Sequence, residues 1–277
     1  MPRSHNLVLH WIANPGPSGH EGSNPSRGVL LTMGRIKRDL DIDQHFIVDK
    51  SIIKKEISIS DITSKDKIIE IGAGEGILTK ELIKKSGELL AFEIDRRYKR
   101  ILDPLFKDKN KIIYQNALDF SWRGYDKIIS NIPYSLSEPI INKAIKEGIK
   151  YMVLIVGKTF KDILEKKETK IGVIANLFYD IKFIMEVKKD CFSPIPRVDS
   201  WMVKFEWKEK DTLLKSVLLR SGKVKNAIMY SLVERGSTKR KAREQISGLN
   251  IPQIVLERPV ARLNVKEVSD LSGFLNN

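Results

Sequence analysis

The chain has one cysteine, Cys191, in 277 residues. No internal disulfide can form, which fits a reducing compartment, and Cys191 reads as a small core residue. Long apolar runs are also missing. None approaches the roughly eighteen residues that a helix needs to cross a bilayer. Histidine is scarce: three of the four, His5, His10 and His20, are scattered through the first 32 residues with no cysteine partner. That spacing argues against a metal site. Acidic residues are the minority, 35 against 49 Lys and Arg, which leaves a net charge of +14. An excess of that size points to a polyanionic partner, nucleic acid or an acidic membrane surface. A basic, solvated surface would give the same sum.

Residues 1–32 also hold four of the eleven prolines and lack apolar periodicity. They have no unbroken apolar stretch, so they do not read as a signal peptide. They read as a disordered or non-native leader, with Met33 as the natural start.

From Lys67 the pattern alternates between strand and helix. Apolar runs at Lys67–Ile71, Leu89–Ile94, Lys111–Tyr114, Lys127–Ser130 and Tyr151–Val156 predict strands. Gly76–Lys85 and Glu138–Glu147 predict helices. Repeated strand–helix units indicate an α/β fold with a parallel, doubly wound sheet. Ile181–Val187 and Trp201–Trp207 alternate more strictly and read as an antiparallel pair at the sheet edge. Composition then shifts. Between Asp211 and Gly248 nine Lys/Arg face three Asp/Glu, a net of about six positive charges, on helical apolar spacing. The predicted organisation is a leader (1–32), an α/β domain (33–207) and a small basic helical domain (208–277).

Two motifs carry chemistry. Gly72-Ala73-Gly74-Glu75-Gly76 lies between a strand and a helix, where doubly wound sheets bind nucleotides. Its spacing differs from the dinucleotide G-x-G-x-x-G, and no Lys-Ser/Thr pair follows to grip phosphates. Glu93, 21 positions after Gly72, falls near the end of the next predicted strand, where a carboxylate can accept both ribose hydroxyls. Acidic flanks, Glu70 and Glu75, suit a cationic nucleoside without phosphates, and S-adenosylmethionine is such a ligand. Asn116, after the third strand, is placed to meet the cofactor's adenine amine; a plain loop asparagine is the competing reading.

The second motif is Asn131-Ile132-Pro133-Tyr134, at the end of the fourth strand. Adenine's amine is a weak nucleophile because its lone pair is delocalised into the ring. Acceptors around its two N–H bonds draw the nitrogen toward tetrahedral geometry and free the lone pair. The Asn131 side-chain carbonyl is one acceptor. The Ile132 backbone carbonyl, whose direction Pro133 restricts, is the other. Tyr134 offers a face for the base, worth about 1–3 kcal/mol. Positioning for in-line methyl transfer then carries most of the catalysis. An ordinary turn is the bland alternative, and the nucleoside turn on the first strand weighs against it.

In this order, the blocks resemble those of the KsgA-type ribosomal RNA adenine dimethyltransferases. The resemblance spans about Asp43 to Leu275. It includes Gln44-His45-Phe46-Ile47, Glu70–Gly76, Glu93-Ile94, Asn116-Ala117-Leu118, Asn131–Tyr134, Phe192–Ser200 and Leu256–Leu263. It implies a Rossmann-like class I S-adenosylmethionine-dependent methyltransferase sheet with a small C-terminal helical domain. Implied catalytic residues are Asn131, Pro133, Tyr134 and Phe192, with Phe192 beside the target base and facing Tyr134 across it. Implied cofactor residues are Gln44, His45, Ile47, Gly72, Gly74, Glu93, Ile94, Asn116, Ala117 and Asn131. The implied substrate is a pair of adjacent adenosines in a hairpin loop near the 3′ end of small-subunit ribosomal RNA. Each adenosine is dimethylated during subunit biogenesis. Lys239, Arg240, Lys241 and Arg243 are the expected RNA contacts; no metal, no membrane, a monomer and a cytoplasmic location are expected with them. The family usually has Asn at the position of His45 and Asp at that of Asn116, so cofactor binding is expected to be weaker but present. Two other readings stay open: an Erm-type large-subunit methyltransferase, and a catalytically silent assembly factor of the same fold.

Overall fold

Strands that are apolar on both faces demand cover on both faces, and this requirement organises the molecule. The computed structural model describes residues 45–209 and 212–275; the leader and Gln44 lie outside the described residues. In β2 (Lys67–Ile71) four of the five residues are buried, and in β3 (Glu88–Phe92) likewise four. β5 (Lys127–Asn131) and β6 (Tyr151–Gly157) follow the same rule. With β4 (Lys111–Ile113), β7 (Tyr179–Val187) and β9 (Ser200–Trp207) they form a seven-stranded sheet ordered β4-β3-β2-β5-β6-β9-β7. The first five strands are parallel; β9 runs antiparallel to both β6 and β7. The predicted antiparallel pair is therefore present at the edge, with the later strand inserted between the sheet and the earlier one.

Helices cover the faces: α1 (Lys50–Ile59), α2 (Ile77–Lys85), α3 (Lys99–Leu102), α4 (Ser137–Glu147), α5 (Lys158–Lys166) and α6 (Lys170–Phe178). Their ends follow local chemistry. Asp49 caps α1 by accepting from the Ser51 N–H at 2.7 Å. α2 ends on Lys84 and Lys85, cations placed at the negative end of its dipole. α4 buries Ile140, Ile141, Ala144 and Ile145 and stops at Gly148, whose φ of +78° only glycine adopts cheaply.

A second, two-stranded pairing joins distant segments. β1 (Phe46–Ile47) lies antiparallel to β8 (Phe192–Ser193), with Ile47 opposite Phe192. Beyond β9 come α7 (Leu213–Leu218), α8 (Val224–Glu234), α9 (Lys239–Gly248), α10 (Gln253–Leu256) and α11 (Val265–Leu275). These helices share an apolar cluster of their own, including Val217, Ile228 and Leu271 together with Val260 from the turn between α10 and α11, against which Val173 and Leu177 of α6 also pack. No described helix is long and apolar enough to cross a membrane.

Candidate active site

Strand order places the site. β2 sends its crossover to β3 on one side, while β5 sits on its other side. That is the switch point of a doubly wound sheet, where a crevice opens beyond the carboxyl ends of the strands. The recorded β2–β5 pairs are Ile68–Lys127 and Ile69–Ile128. Farther along, Ser130 bridges the two strands with its side chain: its hydroxyl donates to the Ile71 carbonyl at 2.5 Å and accepts the Ile71 N–H at 3.0 Å. The glycine turn after Ile71 and the Asn131 loop therefore leave the sheet side by side.

The glycine turn is held open by its own amides. Gly72 and Ala73 both donate to the Phe92 carbonyl, at 2.8 and 3.0 Å. Gly74 donates to Glu93 Oε2 at 2.8 Å, and Asp95 donates to Glu93 Oε1 at 2.8 Å. Gly72, Gly74 and Gly76 have φ of +81°, +51° and +74°. At Gly74 glycine is also required by space, since a Cβ would stand 2.3 Å from the Phe46 ring. Gly74 is thus a floor for Phe46.

The crevice takes in about 1160 Å³ of space, open solvent at its mouth included. His45, Ile47, Gly72, Glu93, Ile94, Asn116, Ala117, Asn131, Pro133, Tyr134 and Phe192 all line it. The pairing of β1 with β8 brings Ile47 and Phe192 to the same wall across 145 residues of chain. Phe192 is buried, whereas Ile94 lies at the mouth, 67% exposed. His45 takes a position that spacing did not suggest. Its Nδ1 donates to the Pro194 carbonyl at 2.9 Å, and its ring faces Tyr134 at 6.1 Å and 23°. Tyr134 is fixed by a hydrogen bond between its hydroxyl and Ser200, and its ring lies over Gly157, where a Cβ would approach to 3.2 Å. The Asn116 carbonyl accepts the Leu118 N–H at 3.0 Å and caps a short turn, so only its second lone pair is open to a ligand.

The lining carries Glu70, Glu75 and Glu93 and no Lys or Arg among the described residues. Burial, chiefly, raises the Glu93 carboxyl above its ordinary range. Burial also lifts Glu70 to about 8, with the Glu93 charge adding to it. Such a wall disfavours phosphate and favours a cation. At the loop, Asn131 Oδ1 is buried without a hydrogen-bond partner. A buried carbonyl oxygen left unpaired costs about 1–3 kcal/mol, so this acceptor is held ready for a donor from outside the chain.

Lys239, Arg240, Lys241 and Arg243 lie on α9, exposed and outside the crevice lining, with Arg240 3.8 Å from Glu244. Other cations of the basic segment are already engaged. Lys215 is buried, donates to the Lys208 carbonyl at 2.5 Å and sits over the Phe178 and Trp207 rings. Arg220 pairs with Glu234, and Lys223 and Lys225 with Glu257. Phe46, part of the Gln44–Ile47 block, was not singled out as a site residue, and the carboxyl Glu56 was missed. Glu56 falls on the apolar stripe Ile52, Ile53, Ile57, and that break in periodicity was the available signal.

A model of the ribosomal RNA adenine dimethylase family matches residues 36–251. A protein of Methanococcus vannielii described as a probable ribosomal RNA small subunit methyltransferase A is 30% identical, covering 87% of this chain and 97% of its own. A protein of Pyrococcus furiosus with the same description is 28% identical, covering 84% and 90%. A dimethyladenosine transferase from Plasmodium falciparum superposes with a TM-score of 0.58 at 20% identity, over 83% of this chain and 97% of its own. The 23S rRNA methyltransferase ErmE gives 0.58 at 16% identity, over 84% and 100%. The last two likenesses describe the fold.

Proposed function

The chain belongs to the ribosomal RNA adenine dimethylase family, and from that premise we propose that it dimethylates the exocyclic amines of two adjacent adenosines. We place them in a hairpin loop near the 3′ end of small-subunit ribosomal RNA. The observation that carries this reading is Asn131 Oδ1, buried and unpartnered between the glycine turn and Tyr134.

S-adenosylmethionine is the cofactor, and it supplies an electrophilic methyl group on a cationic sulfur. The residues present fit it. Glu93 presents a carboxylate with lone pairs beyond those used by Gly74 and Asp95, suited to ribose hydroxyls. Ile94 and Ala117 offer apolar faces for a purine, and Glu70, when ionised, adds negative charge to the wall. The acceptor base enters from the mouth. Tyr134, held by Ser200, gives it a face to stack on. Asn131 Oδ1 accepts one N–H of the amine and the Ile132 carbonyl the other, so that nitrogen's lone pair turns toward the methyl group. The amine's excess proton leaves after transfer, through the open mouth to water. An unpaired loop base costs little to extrude, which suits entry into a crevice. Helix α9 supplies exposed cations for flanking phosphates. The 33–207 and 208–277 division is the corresponding division of labour, in a monomer working in the cytoplasm.

The test is methyl transfer from labelled cofactor to unmethylated small subunits, with the modified nucleoside identified by mass. Dimethyladenosine at two neighbouring loop positions is the expected result. Transfer only to large-subunit RNA, or salt-sensitive binding without transfer, would overturn it.

Glu70 makes cofactor affinity depend on pH. In the free protein its carboxyl is largely neutral below about 8. A cationic ligand binds the ionised form better, so affinity should rise as pH climbs from 6 toward 8 and then level off. Calorimetric titrations should show up to about a tenfold gain per pH unit. The thioether product, which lacks the sulfonium, should show a shallower slope; identical slopes for both ligands would remove Glu70 from this role. The same shift acts on folding. Between the ordinary carboxyl value of 4.5 and about 8 the folded chain keeps a proton that the unfolded chain releases. This group therefore makes folding less favourable as pH rises through that window.

A further inference from the structure

Glu56 is a fully buried carboxyl outside the chemistry described so far. It lies on the inward face of α1 with Ile52, Ile53 and Ile57, one turn after Ile53, which lines the crevice. Neither of its oxygens has a hydrogen-bond partner of ordinary geometry. Its polar neighbours come from two strands. One is Glu70 of β2, itself buried and with Oε2 unpartnered; the other is the side-chain amide of Asn131 on β5. Burial first, and then the Glu70 charge, push Glu56 well above the ordinary carboxyl range, while the Asn131 amide acts in the opposite direction. An apolar side chain at this position would continue the stripe and avoid the cost of burying a carboxyl. A carboxyl kept in such a place behind a reactive amide is the pattern of a functional site.

An asparagine amide can point either end into a pocket. One end donates and the other accepts, and only the acceptor helps an amine nucleophile. A carboxyl behind Asn131 distinguishes them. In either protonation state it offers an oxygen that attracts the Nδ2 hydrogens, which leaves Oδ1 to face the crevice. The hydrogen bond need not be closed in the free protein, since such contacts tighten when substrate loads.

We infer that Glu56 is a positioning residue for methyl transfer: its carboxyl takes the Asn131 Nδ2–H and holds Oδ1 toward the acceptor amine. The inference rests on the reading above that Asn131 accepts the adenine amine.

Two substitutions and two readouts test it. Glu56→Leu removes the acceptor and restores the apolar stripe. Glu56→Gln keeps a carbonyl that can accept from Nδ2. With small-subunit RNA, Glu56→Leu should lower kcat at least tenfold. KM for RNA and Kd for the cofactor should stay within about twofold, and Tm should not fall. Glu56→Gln should stay within about threefold of the parent kcat. In amide NMR spectra, the side-chain resonances that Asn131→Asp deletes should move in Glu56→Leu and move less in Glu56→Gln. An unchanged kcat in Glu56→Leu, or an equal loss in Glu56→Gln, overturns the assignment. So do unmoved Asn131 resonances. If the parent protein methylates no RNA, the proposed function falls, and the NMR readout alone decides the place of Glu56.

Discussion

Asn131→Ala should reduce methyl transfer by about 10²–10³-fold while leaving small-subunit RNA binding within a few-fold of the parent. The magnitude follows from removing one preorganised hydrogen-bonding group at a reacting centre, worth about 2.7–4 kcal/mol in comparable sites. The direction follows from the structure. Oδ1 is a buried oxygen on the residue that ends β5 and lines the crevice, and its lack of a partner means that the chain has already met the cost of keeping it dry. Truncation affects the acceptor amine and not the phosphate contacts proposed for α9. Single-turnover rates and RNA binding at fixed salt separate the two effects. A residual rate within tenfold of the parent would show that Asn131 is a bystander. Asn131→Asp is the more severe companion. It keeps an acceptor but adds a third carboxyl beside Glu56 and Glu70, both already displaced upward by burial. Like charges in one buried site are costly, so Tm should fall as well as rate.

Trp122→Ala should be the most damaging single change to stability that also reaches the site. Trp122 is fully buried in the larger core cluster, with Phe92, Ile132 and Val203 among its members. Its indole N–H donates to the Ala117 carbonyl at 3.0 Å, and Ala117 lines the crevice. Truncating a buried tryptophan costs about 3–5 kcal/mol. In a domain of this size each kcal/mol lowers Tm by about 2–4 °C, so a loss of roughly 6–20 °C is expected in a thermal scan. The Asn116–Asp119 turn loses its anchor at the same time, so cofactor affinity should weaken several-fold even at temperatures where the fold persists. Trp122→Phe keeps most of the volume and loses only the hydrogen bond. It should cost about 1–3 kcal/mol, chiefly for the carbonyl left unsatisfied. A loss below 1 kcal/mol for the alanine variant would mean that the turn is held by other contacts.

Much of this protein was readable before its structure. The α/β order follows from apolar runs covered on both faces, and β2, β3, β5 and β6 fall within a residue or two of their predicted bounds. Strand ends were less legible. Glu93 and Ile94 were expected inside a strand, but the ladder of β3 stops at Phe92 because the glycine turn claims the Phe92 carbonyl twice. Charge counting had a similar limit. It found the basic C-terminal segment, but could not tell that Lys215 turns inward under two aromatic rings while the cations of α9 stay exposed.

By itself the sequence determined the glycine turn, the Asn131–Tyr134 loop, their order and the alternation that supports them. These are properties of neighbouring residues: periodicity, turn chemistry and the restriction that proline imposes on its surroundings. The tertiary structure decided which distant groups share one space. It set Phe192 against Ile47 and His45 against Tyr134, and it placed Gly74 under Phe46. It also carried the Glu56 carboxyl behind Asn131, 75 residues away. Those pairings depend on the packing of α1 and β8 onto the sheet, and no local preference along the chain encodes them. A buried carboxyl and a solvated one look the same in a sequence, because the difference between them is the water that folding removes.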